Sequence, residues 1–64
     1  MRNRIKQIRK NHNLTQIQLA DSVNVSRQTI IAIEKGKYIP SLLLAMKIAK
    51  YFDLKIENIF FEEE

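Results

Sequence analysis

Sixty-four residues, 45% hydrophobic and 28% charged, are too few for more than one domain and too apolar for a disordered segment. No cysteine and a single histidine, His12, exclude disulfides, a thiolate zinc site and a histidine-built metal centre, so no cofactor is expected. The net charge of +4 is uneven: Glu62, Glu63 and Glu64 close the chain, and residues 1–61 hold eleven cations against four acids, or +7, which suits a polyanion-binding face with an acidic tail kept away from it.

The first apolar pair, Ile5 and Ile8, stands at helical spacing among Lys, Arg, Asn and Gln. It predicts a thin amphipathic helix over about residues 3–11. Asn11-His12-Asn13 ends it, because Asn tolerates the left-handed conformation that closes helices. Thr15-Gln16-Ile17-Gln18 has the form of a capping box and opens a second helix, whose stripe continues through Leu19, Ala20 and Val23. Asn24 suits a positive φ in a tight turn, and Ser26 is a good N-cap for a third helix starting at Arg27. Ile30 and Ile33 mark its buried face, and Gly36 stops it near residue 35. After the loop Lys37-Tyr38-Ile39-Pro40, a fourth helix runs from residue 40 or 41 to about 52, with Leu42, Ala45, Ala49 and Phe52 on one stripe. Asp53-Leu54-Lys55 breaks the pattern, and a last short helix covers about residues 56–60.

Two short helices joined by a tight turn, over residues 16–35, form a helix-turn-helix. Ala20 is small where the helices cross, and Ile17, Val25, Ile30 and Ile33 hold them at a fixed angle. The third helix then stands proud of the surface and fits the major groove of B-DNA, about 12 Å wide.

These residues resemble the Cro/repressor-type, or Xre, family of helix-turn-helix proteins. The likeness runs through Leu14-Thr15-Gln16, Leu19-Ala20, Val25-Ser26-Arg27-Gln28-Thr29-Ile30, Ile33-Glu34-Lys35-Gly36, Pro40-Ser41-Leu42, Ile48-Ala49 and Ile56-Glu57-Asn58-Ile59-Phe60. It covers about the whole chain and implies an all-α, five-helix, lambda-repressor-like domain over residues 1–64, a minimal stand-alone member with residues 62–64 as an acidic tail. Small members of the family also pair their termini as two short strands, here residues 1–3 with 61–63.

By resemblance, Arg27 and Gln28 are the first groove-facing positions. Arg can donate twice to guanine O6 and N7, and Gln pairs with adenine N6 and N7. Ile31 and Ala32 follow one turn later, where apolar side chains meet thymine methyls. Gln16, Ser26, Thr29, Lys35, Lys37 and Tyr38 rim the helix as phosphate contacts. The family also pairs an Arg near the end of the first helix with a Glu near the end of the recognition helix, here Arg9 and Glu34, as a structural brace. His12 reads as a solvated turn residue, Phe52 and Phe60 as core.

Dimers of this motif place two recognition helices about 34–36 Å apart, one DNA turn. Leu43, Leu54, Ile56 and Phe61 are the interface candidates. The function implied is a sequence-specific, homodimeric regulator of transcription that binds double-stranded DNA, with repression at a palindromic operator as its mode. The antitoxin of a toxin–antitoxin pair is the alternative. No nucleophile, base and orienter set, Gly-rich phosphate loop or metal cluster is present, so neither an enzyme nor a small-molecule ligand is expected. No apolar run approaches the roughly 20 residues that cross a bilayer, and the basic Met1-Arg2-Asn3-Arg4 leads into no apolar signal segment. A cytoplasmic prokaryotic or phage protein, nucleoid-associated when bound to DNA, is expected, without membrane partners.

Overall fold

The computed structural model describes residues 1–62. In chain order these form strand β1 (Arg2–Asn3), helices α1 (Ile5–Asn11), α2 (Gln16–Ser22), α3 (Arg27–Glu34) and α4 (Leu42–Phe52), a 3-10 turn (Ile56–Asn58) and strand β2 (Phe60–Phe61).

Side chains begin three of the helices. Thr15 Oγ1 accepts from the Gln18 amide at 3.0 Å, and Gln18 Oε1 accepts from the Thr15 amide at 2.9 Å, completing the capping box of α2. Ser26 caps α3 through the Thr29 amide and Ser41 caps α4 through the Leu44 amide, both at 3.2 Å. Thr15→Ala removes half of the box and is expected to cost about 1 kcal/mol in thermal denaturation.

All four α-helices end alike. A residue of positive φ follows the last turn: Asn13 (58°), Asn24 (63°), Gly36 (74°) and Asp53 (56°). The next amide then reaches back five positions, Leu14 to Arg9, Val25 to Ala20, Lys37 to Ala32 and Leu54 to Ala49, at 2.9–3.0 Å. These bonds satisfy carbonyls that a helix end leaves free. At Gly36 a Cβ would also lie 3.3 Å from the Met1 carbonyl oxygen. Gly36→Ala therefore combines left-handed strain with a close contact, and an expected loss of about 1–2 kcal/mol is measurable by the same melt.

The ends of the chain form the short strand pair that the resemblance implies, and the helix count falls from five to four. β1 and β2 pair antiparallel, with Arg2 opposite Phe61 and Asn3 opposite Phe60. Asn3 is occupied on three sides: its backbone lies in the strand, its Oδ1 accepts from the Ile5 amide at 3.1 Å, and its Nδ2 donates to the Ile33 carbonyl at 2.8 Å. α1 consequently starts at Ile5 rather than at residue 3. Phe60 is likewise drawn into β2, so the fifth helix shrinks to a 3-10 turn. The fold remains helical, with four helices, that turn and a two-stranded ribbon. The strand partners lie one residue nearer the chain's middle than the pairing of 1–3 with 61–63; of the acidic tail, Glu63 and Glu64 fall outside the described residues.

Ile5, Leu19, Ile30, Ile33, Ile48 and Ile59 are fully buried, so every α-helix and the segment before β2 contributes to one core. Each such side chain contributes about 1.5–3 kcal/mol relative to exposure. Two apolar expectations fail. Ile17 is 55% exposed, because it stands two positions before Leu19, on the opposite side of α2. Leu42 is 72% exposed. The inward stripe of α4 is centred between Leu44 and Ala45, and Leu42 lies about a quarter turn off it at the helix's first position.

Candidate nucleic-acid interface

Ala20, 2% exposed, lets α2 approach α3, and the Val25-to-Ala20 hydrogen bond closes the turn between them. Ile30 and Ile33 point inward from α3, which leaves Arg27 and Gln28 exposed at its start. Thr29, Ile31 and Ala32 are half-buried, so the second groove-facing turn is shallower than a fully outward pair.

A polar brace fixes the far end of α3. Arg9 Nε donates to Glu34 Oε2 at 2.8 Å and Arg9 Nη2 to Glu34 Oε1 at 3.3 Å, while Arg9 Nη1 donates to the Leu14 carbonyl at 2.9 Å. Gln16 Nε2 adds a donor to Glu34 Oε1 at 3.2 Å. The Arg9 and Glu34 side chains are only 9% and 5% exposed. One carboxylate thus links the last turn of α1, the first residue of α2 and the end of α3. Its charge is neutralised, so it does not repel phosphate from the helix that carries it. The Gln16 contact was missed from the sequence: the two residues are 18 apart, and no local pattern marks them.

The remaining rim residues differ in freedom. Gln16 keeps one side-chain N–H free beside Glu34. Ser26 and Thr29 are tied together, their hydroxyls 3.0 Å apart, so capping already occupies much of their capacity. Lys35, the C-cap of α3, and Lys37 and Tyr38 after it are exposed. Tyr38 and Thr29 share a shallow recess with Asn24, Ser41 and Lys47. The sequence marks Asn24 only for its turn and Lys47 not at all; the recess brings them together from the α2–α3 turn and from α4. Lys35→Ala is expected to weaken binding to every duplex alike and to reduce the slope of log K against log salt by about 1.

Away from this rim, His12 does more than sit in solvent. Its Nδ1 lies 2.9 Å from the Ile8 carbonyl, to which a protonated Nδ1 donates, and its ring centroid is 5.0 Å from that of Phe52. Phe52 and Phe60 are buried. The four interface candidates do not share a face. Ile56 and Phe61, both half-buried, line one apolar groove with Met1, Ile39 and Leu42. Leu54 lies in a recess with Arg4, Gln7 and Ile8. Leu43, 65% exposed, stands beside Val25 and Tyr38 on the recognition-helix side.

A capped short helix, a tight left-handed turn, and a second helix that shows polar side chains at its start while its end is braced define a helix-turn-helix DNA-binding protein. Comparison with known proteins agrees: the helix-turn-helix family profile matches residues 5–59. The chain belongs to that family, of the Xre type, and is a transcriptional regulator with a helix-turn-helix DNA-binding domain. It is 64% identical to an uncharacterized HTH-type transcriptional regulator of Methanocaldococcus jannaschii, over 100% of this chain and 97% of that one. It is 42% identical to the immunity repressor protein of Bacillus phage phi105, over 94% of this chain and 42% of the repressor. Among solved structures it superimposes on the restriction-modification controller protein C.AhdI of Aeromonas hydrophila with a TM-score of 0.81 and 26% identity, covering 89% and 86% of the two chains. Among the described residues, no helix is long and apolar enough to cross a membrane.

Proposed function

We propose that the protein is a sequence-specific repressor that binds a palindromic operator as a homodimer. The observation that carries the reading is α3 itself, which presents Arg27 and Gln28 to solvent from a helix start capped by Ser26. Arg27 reads guanine and Gln28 adenine, Ile31 and Ala32 give apolar contact, and the rim from Gln16 to Tyr38 holds phosphates.

One recognition helix per chain supports two copies, since dimers of this motif place two such helices about 34–36 Å apart, one turn of DNA. A single chain therefore occupies one groove, and two occupy adjacent half-sites. The groove lined by Ile56 and Phe61 supports self-association, since Ile39 and Leu42 beside it are 63% and 72% exposed. Repression follows from occupying promoter DNA, as the likeness to a phage repressor suggests.

Selection of bound duplexes from a random pool tests the reading. A recovered inverted repeat with half-sites about one helical turn apart is the expected result. Recovery of no shared sequence would overturn it. A reporter fused to the selected operator then reads the sign of regulation, with lower expression expected when the protein is present.

A further inference from the structure

Four cations on β1, the N-cap of α1 and α1 itself have no part in the interface described above. Arg2, Arg4, Lys6 and Lys10 line one concavity with Asn3, Gln7, Asn11, Glu34 and Phe61. Glu34 is the one carboxylate there, and Arg9 and Gln16 already engage it. Arg9–Glu34 is the one ion pair among the described residues. The guanidinium carbons of Arg2 and Arg4 lie 5.7 and 5.3 Å from the centroid of the Phe61 ring. A cation held over a ring is positioned while keeping N–H groups for another acceptor.

The arrangement works against the local helix. Arg4 is the N-cap of α1, Lys6 is its second residue, and its first turn contains no acid. Cations there oppose the helix dipole, which favours anions at that end. Lys6 and Lys10 repeat at i,i+4, so they lie on one face and repel each other. An external polyanion would relieve both effects.

We propose that this concavity is a second site for the DNA backbone, holding phosphates outside the stretch covered by α3. The inference rests on the DNA-binding reading above and extends it to residues that reading leaves idle. Continuity selects the occupant. Glu34, at the end of α3, borders the concavity, and an adjoining recess joins Met1 and Arg2 to Lys35 and Gly36. A duplex seated on α3 therefore runs on toward Arg2 and Lys6. A lipid surface fits less well, because Phe61 is the one large apolar side chain in the lining, and it is half-buried. With Gln7 and Asn11 as further amide donors, the lining suits phosphodiester oxygens.

The test is salt-dependent binding of the full chain to a fluorescein-labelled, mixed-sequence duplex of about 30 base pairs, where affinity rests on phosphates alone. Lys6→Gln/Lys10→Gln leaves the brace and the strand pair untouched, and its melt confirms folding. It is expected to lower the slope of log K against log salt by about 1–2, at about 0.9 per phosphate lost, and to weaken binding roughly tenfold near 0.1 M salt. Lys6→Arg/Lys10→Arg should retain the wild-type slope. An unchanged slope and affinity in the folded Gln variant, with Lys35→Ala still impaired, would overturn the second site and leave the first standing. A folded wild-type chain that binds no duplex would overturn both. Tighter binding to phosphatidylserine vesicles than to the duplex, lost in the same Gln variant, would reassign the site to a membrane surface and overturn the proposal.

Discussion

Glu34→Ala is expected to destabilise the fold by about 3 kcal/mol without reordering the DNA sequences it prefers. The substitution deletes a carboxylate whose side chain is 5% exposed and leaves the Arg9 guanidinium, 9% exposed, with only the Leu14 carbonyl as acceptor. A charge left buried and under-paired in this way costs more than the intact pair contributes. It also frees Gln16 from its anchor and loosens the end of α3. A domain of this length has a total stability of about 3–10 kcal/mol, at roughly 0.05–0.15 kcal/mol per residue. The loss is therefore between about a third and all of that stability, and a denaturant titration measures it. A double-mutant cycle with Arg9→Ala isolates the coupling, and a value near zero would refute the brace.

Arg27→Ala and Gln28→Ala are expected to act in the opposite way. Both side chains are exposed at the first turn of α3. Removing them should leave the melt within about 0.5 kcal/mol of wild type. Each good bidentate contact with a base is worth about 1–3 kcal/mol of discrimination, or a factor of roughly 5–150 in preference for the correct base. Operator binding by the double variant should fall toward that of an unrelated duplex, while binding to the unrelated duplex itself changes little. Competition between the two duplexes measures the ratio. Retention of full preference in the double variant would remove α3 from sequence reading. Glu34→Ala and the Arg27→Ala/Gln28→Ala double variant therefore separate the ends of one helix: its start discriminates, and its end holds the geometry.

The contrast explains why some features were legible in the sequence and others were not. Thr15-Gln16-Ile17-Gln18, Ser26 and Gly36 act through bonds spanning three to five residues, so their roles follow from neighbours alone. The same holds for Asn24 and its positive φ. Asp53 performs the same task at the end of α4, yet Asp is a less distinctive choice there, and its left-handed φ of 56° was not anticipated. The outward tilt of Ile17 and Leu42 was misjudged for a different reason. Helical periodicity names a stripe, but where the centre of that stripe lies depends on the helix packed against it.

Length, helical periodicity, the caps and the closing residues of this chain determined four helices, their order and the helix-turn-helix within them. Each of these is a local property, set by backbone bonds and by which residue types tolerate a given φ. Tertiary structure alone decided the register that sets Asn3 opposite Phe60 and so draws Phe60 out of a helix, and that Gln16 meets Glu34. Packing likewise gathered Arg2, Arg4, Lys6 and Lys10 into one basic concavity bordered by the end of α3. Those outcomes depend on contacts between residues far apart in the chain, whose free energy exists only once the core of Ile5, Leu19, Ile30, Ile33, Ile48 and Ile59 has closed.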